Sequence, residues 1–272
     1  MIVAAIASDA RLFELLVLKG GNALDLIYLE GERGSLDLDY SLAGDLADVE
    51  DTKIRLFTAL RRAFDAVGLL VFDEQFGPRP RGTTPPRWGG YEASFKLIER
   101  GKATGLEMDQ ERLRRDAVRS GPAQQRRFVI QLSKYEYCDG ATVATVGNAT
   151  VRVYTPVMMM AEKLRAICQQ MPEYPLRVRP APRARDFYDI ARLGDLLGAR
   201  YDRAAMLEVL SPVFAAKDVP LSLLGQLAAT RSFHALDWPT VELTVRGSPQ
   251  PFDHYFDRVL ALVEELDLGR IE

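Results

Sequence analysis

The chain has 272 residues and a net charge of −3, enough for one large domain or two modest ones with a real core, and too near neutral for a uniformly basic nucleic-acid surface. Two separated cysteines, Cys138 and Cys168, and two lone histidines, His234 and His254, exclude a zinc cluster and a disulfide framework and fit a reducing cytoplasm. No run approaches a membrane span, and the apolar start Met1–Ala7 is too short for a signal core and soon meets Asp9.

Leu15 to Lys19 is an apolar run that reads as a strand and ends in Gly20-Gly21, and Asn22 to Tyr28 reads as a helix. Leu36 to Tyr40 alternates and predicts a strand. From Asp51 to Val67, the residues Ile54, Phe57, Leu60, Phe64 and Val67 recur at helical spacing. Leu69–Phe72, Tyr91–Ile98 and Phe128–Tyr137 read as further strands. Between the first two, Gly77 to Arg87 is rich in proline and arginine. Proline removes a donor and fixes φ, so this stretch is neither helix nor central strand and reads as a basic surface loop. Ala141–Val146 and Ala149–Tyr154 flank Gly147-Asn148, a hairpin turn.

After Tyr154 the pattern turns helical. Thr155 is an N-cap with Pro156 behind it, opening a helix to about Gln169. A proline-rich connection from Met171 to Arg183 leads to a second helix, from about Arg185 to Leu197. Phe252 to Leu266 is a terminal amphipathic helix. The expectation is an α+β fold: a mixed-sheet core with helices over residues 1–154, then a mainly helical half over residues 155–272.

Charge is uneven along the chain. Glu30 to Asp51 carries eight acids and one arginine, Glu111 to Arg127 six arginines, and Arg177 to Arg192 five. These runs suit a phosphate-handling cleft, and equally a set of solvated faces. Asp37 and Asp39 are sharper. On a strand, residues two apart share a face, and two adjacent carboxylates repel unless a cation lies between them. Their oxygens suit a hard ion such as Mg²⁺, which also binds nucleotide phosphates; a polar face on an edge strand is the plain alternative. Upstream, Lys19-Gly20-Gly21-Asn22 follows a strand and opens a helix, where backbone N–H groups can approach an anion; an ordinary strand-to-helix turn also uses glycine.

Taken together, Leu18-Lys19-Gly20-Gly21-Asn22 with Arg33-Gly34-Ser35-Leu36-Asp37-Leu38-Asp39 resembles the first motif of the AbiEii/AbiGii nucleotidyltransferase toxins of type IV toxin–antitoxin systems. Val153-Tyr154-Thr155-Pro156 followed by Ala161-Glu162-Lys163-Leu164 is similar to that family's lysine motif. Arg185-Asp186-Phe187-Tyr188-Asp189 is similar to its RD-x-x-D motif, and Phe252–Leu260 to its closing helix. The resemblance implies a nucleotidyltransferase-fold core and transfer of NMP from an NTP. Asp37 and Asp39 would hold Mg²⁺, with Mn²⁺ as an alternative. Lys19, Gly20, Gly21 and Ser35, with Arg185 and Asp189, would contact the nucleotide. Lys163 would neutralise phosphate charge, and Asp186 would orient Lys163 or the ribose, or act as base. Asp189 might equally pair with Arg185 at i, i+4.

By the same resemblance the acceptor is RNA, namely the tRNA 3′ end, the outcome is a block of translation, and an antitoxin is encoded nearby. Two alternatives stand beside it: transfer to a small molecule or a protein hydroxyl, and a weakly active nucleotide-binding regulatory module. The second draws on Gln131, which occupies the strand position where many nucleotidyltransferases carry a third acid. Glu136 lies near, but its odd offset from Gln131 sets it on the other face of the expected strand.

Overall fold

The computed structural model describes residues 1–28, 37–82, 87–105, 109–120, 124–176 and 179–267. Two compact units emerge: the described residues of Met1–Ile27 with Ser35–Val153, and those of Tyr28–Gly34 with Tyr154–Glu272. Ser35 and its neighbours in the first motif, and Arg177 of the second basic run, lie outside the described residues.

The first unit opens with two short helices, α1 (Ile2–Ala7) and α2 (Ala10–Leu15), which run into β1 (Leu16–Lys19). Asp9 caps α2 by accepting from the backbone N–H of Arg11 and Leu12. A short helix α3 (Gly20–Ala23) continues as a π-turn to Tyr28. There follow β2 (Leu38–Leu42), α4 (Val49–Asp65), β3 (Leu69–Arg79), β4 (Gly90–Glu99), α5 (Arg100–Ala103), α6 (Gln110–Arg115), β5 (Phe128–Ser133) and the hairpin β6 (Thr142–Val146) and β7 (Ala149–Val153). The seven strands form one mixed sheet in the order β3-β4-β5-β2-β1-β7-β6.

Register separates the two faces of this sheet. Leu18 lies beside Tyr40, Tyr40 beside Leu132, and Leu132 beside Tyr91; Leu38, Ile130 and Ala93 form the next row. This apolar face is covered by α4, whose Phe64 ring sits 5.9 Å from that of Phe95. Along the opposite face runs a polar row: Lys19 on β1, Asp39 on β2, Gln131 on β5 and Glu92 on β4.

Three expectations change. The strand carrying the paired acids begins at Leu38, so Asp37 lies one residue before it. On α4, Phe57, Leu60 and Phe64 are buried as expected, but Ile54 is about half exposed and Leu56 takes the core position instead, and Val67, also about half exposed, lies beyond the end of the helix. The loop expected at Gly77 instead stays in β3 through Arg79, with Gly77, Pro78 and Arg79 beside Glu92, Tyr91 and Gly90. Proline is tolerated there because β3 is an edge strand.

The second unit is built on α7 (Pro156–Cys168), α8 (Ala184–Leu197), α9 (Arg203–Ala215), α10 (Arg231–Ala235), α11 (Trp238–Glu242) and α12 (Phe252–Leu266), with a 3-10 segment at Leu221–Thr230. Thr155 caps α7, its hydroxyl accepting from the Met158 N–H at 3.2 Å. Helix α7 packs on α8 and α9, and α8 on α12. An aromatic core joins α8 to α12: Phe187 stacks on Phe256 at 4.8 Å and meets Phe252 edge-on at 5.5 Å. Among the described residues, no helix is long and apolar enough to cross a membrane.

Gly90 opens β4 beside Ser133, and a methyl there would be driven into the Leu132 carbonyl oxygen. Backbone cannot yield as a side-chain tip can. Gly90→Ala is expected to lose about 1–3 kcal/mol of stability, measured as a lower urea midpoint; a wild-type midpoint would show that β4 does not approach β5 so closely.

Candidate active site

The site in the first unit is set by close approach at Gly20. This residue has φ +66°, and a Cβ built on it would lie 2.7 Å from Asp39 Oδ2. Only glycine combines that backbone angle with that space, so the Asp39 carboxylate rests against the turn between β1 and α3. Helix α3 is fastened to the same place: Asn22 Nδ2 donates to the Asp37 carbonyl at 2.6 Å. Asp37, Asp39, Gly20 and Gly21 are therefore neighbours around the end of one strand pair.

Lys19 stands in register with Asp39 and is only 6% exposed. Its ammonium lies 3.4 Å from Glu136 Oε1, and that side chain is equally buried. The odd offset from Gln131 does not set Glu136 on the opposite face, because β5 ends at Ser133; alternation no longer governs position 136, and the loop carries its carboxylate back to β1. The sequence held no signal of this, since nothing local marks where β5 stops. Gln131, by contrast, lies where it was expected, directly beside Asp39.

Which ion these groups suit follows from their chemistry. Among the described residues, no cluster of three or more His, Cys, Asp or Glu side chains could hold a metal. The Asp39 carboxylate at the Gly20 turn, with Asp37 two residues before it, fits an ion that takes one or two protein carboxylates and completes its shell with phosphate and water, the habit of Mg²⁺.

The second unit gathers the other motif residues. Lys163 on α7 donates to Asp186 Oδ1 at 2.9 Å and Asp189 Oδ2 at 2.7 Å, both on α8. All three side chains are buried. Arg183, just before α8, donates to the other oxygen of Asp186. Burial alone would raise the Asp186 carboxyl, but the charges of Arg183 and Lys163 overcome it and hold that group well below the usual carboxylate range. An acid held so low is a weak base, which favours orientation of Lys163 over proton abstraction. Asp189 accepts from Lys163, and Arg185 on the same helix donates to Thr244 Oγ1.

His234 supports the network from behind. It is fully buried, and its Nδ1 accepts the Arg183 backbone N–H at 3.0 Å. The proton therefore sits on Nε2, which has no hydrogen-bond partner among the described residues. Burial pushes the imidazole down to about 4.

The family profile described as "Nucleotidyl transferase AbiEii toxin, Type IV TA system" matches residues 2–261. The chain belongs to the AbiEii family of nucleotidyltransferase toxins. It is a nucleotidyltransferase, and its type IV toxin–antitoxin membership implies a nucleotide substrate and an antitoxin partner. Among solved structures it is similar to JHP933 from Helicobacter pylori, at 16% identity and a TM-score of 0.50, covering 98% of this chain and 90% of that one. It is also similar to a candidate nucleotidyltransferase from H. pylori, at 15% identity and a TM-score of 0.50, covering 100% and 93%. These likenesses extend over the α+β nucleotidyltransferase fold. No curated protein matches the sequence.

Two expectations follow. Gly20→Ala forces a left-handed alanine, costing on the order of 1–3 kcal/mol, and displaces the Asp39 carboxylate; nucleotide transfer should be lost while the fold persists, and an active, folded variant would refute the close approach. His234 is the second case. Its folded pKa, about 4, lies below the unfolded 6.5, so its contribution is complete above pH 6.5 and is lost as pH falls toward 4. Unfolding free energy should drop by about 2 kcal/mol between pH 7.5 and pH 5, and His234→Phe should lack that part of the drop in urea titrations.

Proposed function

We propose that this AbiEii-family enzyme transfers NMP from an NTP to an RNA acceptor, the 3′ end of tRNA, in the cytoplasm, and so blocks translation as the toxin of its pair. The observation that carries the reading is the Asp39 carboxylate packed against Gly20. It sets one carboxylate of the acidic pair against the glycine turn, which supports a place there for a metal–triphosphate complex. Asp37 and Asp39 would hold Mg²⁺, or Mn²⁺ in its place. When bound, the ion supplies charge neutralisation at the phosphates.

The chain's own residues take the remaining roles. Gly20 and Gly21 are proposed to meet the triphosphate through their backbone, since N–H groups at the start of α3 can donate to phosphate oxygens. Lys19, held by Glu136, adds a fixed positive charge beside Asp39. Ser35 enters on its motif alone, as a hydroxyl donor. Lys163 is proposed to neutralise phosphate charge, with Asp186 and Asp189 fixing its ammonium. Arg185 enters on the motif as a nucleotide contact. The division near residues 154 and 155 is proposed to separate the core that carries the acid pair from the half that carries the lysine network.

A second reading has one specific observation in its favour. Gln131 faces Asp39 across β2 and β5, so the neighbouring strand offers a neutral amide where a third acid would add charge. Such a chain could bind nucleotide and turn over slowly, as a regulatory module.

One experiment separates these. The protein is incubated with each labelled NTP, Mg²⁺ and total RNA, and compared with Asp37→Ala. Labelled RNA is expected for wild type, reduced at least a hundredfold in the variant. Labelling that survives in Asp37→Ala moves the chemistry elsewhere; nucleotide binding with no labelled product favours the regulatory module.

A further inference from the structure

We infer that the cation cluster around Asp73 is a phosphate-binding subsite that holds the backbone of the RNA acceptor, an inference that rests on the transferase reading above. Asp73 lies in a β-bulge between Phe72 and Gln75 of β3, with φ +53°, a left-handed conformation that a non-glycine residue adopts at a cost. Three cations converge on its buried carboxylate. Lys96 of β4 lies at 2.8 Å, Arg127 just before β5 at 2.8 Å, and Arg114 of α6 binds both oxygens at 3.1 and 3.2 Å. Arg127 also donates to Ser94 Oγ at 2.9 Å. Burial would raise the Asp73 carboxyl, but hydrogen bonds from Lys96 and Arg114 and the nearby positive charges hold it below its ordinary value.

The charge does not balance. Among the described residues, one carboxylate faces three cations, an excess of about two positive charges in a small volume. Like charges so gathered repel, and a phosphodiester would relieve the repulsion. The donors remain reachable: the Arg114 side chain is 49% exposed and that of Arg127 32%. Arg114 spends Nε and Nη2 on Asp73, and a guanidinium has five N–H donors in all. Asp73 thus acts as a placeholder that keeps the cations aligned.

Position supports the assignment. Lys96 and Ser94 alternate with Glu92 on β4, so they share the sheet face that carries Asp39 and Gln131. From β2 to β4 is two strand spacings, about 10 Å, and Ser94 and Lys96 lie about 7 and 13 Å further along β4 than Glu92, the residue level with Asp39, in the direction of Asp37. Gly20 lies on the β1 side of Asp39 and the Asp73 cluster on the β4 side. In an in-line displacement, the attacking oxygen and the leaving pyrophosphate stand on opposite sides of the reacting phosphorus. With the triphosphate at Gly20, the acceptor enters from the side of the cluster.

The test is equilibrium binding of fluorescent tRNA, followed by anisotropy across a salt series. It compares wild type, Arg114→Gln and Asp73→Asn, with binding of a non-hydrolysable NTP analogue measured in parallel. Arg114→Gln should weaken RNA binding about three- to tenfold and lower the slope of log K against log salt by about one. Asp73→Asn, which removes the competing carboxylate, should tighten RNA binding and steepen that slope. Analogue binding should not change in either. Arg114 is half exposed, so its variant reports even if Asp73→Asn fails to fold. Wild-type RNA affinity in a folded Arg114→Gln overturns the subsite and leaves the transferase reading intact. Weakened analogue binding with RNA binding intact assigns the cations to the nucleotide's own phosphates and also overturns it. A wild type that binds no RNA overturns the acceptor assignment itself.

Discussion

The structure of the first unit depends on how β2 is seated between β1 and β5. Antiparallel to one and parallel to the other, it carries Asp39 into a row with Lys19 and Gln131. A slip of one residue would turn Asp39 toward α4 and the apolar rows, and send Tyr40 to the polar face. That register is enforced by burial: Leu38, Tyr40 and Leu42 are at most 6% exposed, and their apolar area holds the strand far more firmly than any polar contact on the other face. The chemistry of the polar row is therefore positioned by the hydrophobic effect acting on its back.

The lysine network obeys a different rule. Lys163 is buried with two carboxylates, one of which also pairs with the partly exposed Arg183. Charges taken out of water in this way recover their desolvation cost only when every partner is present. Deleting one member leaves another uncompensated, so these residues are structurally coupled whatever else they do. The arrangement also explains the spacing in RD-x-x-D: positions 186 and 189 lie on one face of α8, and a single ammonium can reach both.

Much of this was legible in the sequence. The hairpin at Gly147-Asn148, the capped start of α7 and the amphipathic α12 carry local signals that tertiary structure does not override. The place of Asp39 on a strand and the glycine turn could be read because strand periodicity and backbone freedom are properties of a few adjacent residues, whereas Asp37 falls one residue short of the strand that alternation assigned it. What could not be read depended on distant contacts. The end of β5 at Ser133 decides where Glu136 points, and nothing between 128 and 137 announces it. Arg114, Arg127 and Lys96 belong to three elements, and only the bulge at Asp73 brings them together. The basic run from 111 to 127 thus suggested a diffuse electrostatic face, while the fold gathers two of its arginines at one carboxylate.

Gly20 carries a consequence for how such an enzyme can change. Its lack of a side chain is demanded twice, once by the backbone and once by the carboxylate pressed against it. The second demand disappears if Asp39 is exchanged for a smaller residue. The backbone demand stays. On the role proposed for Asp39, activity would be lost before even a small left-handed residue such as asparagine could find room at position 20.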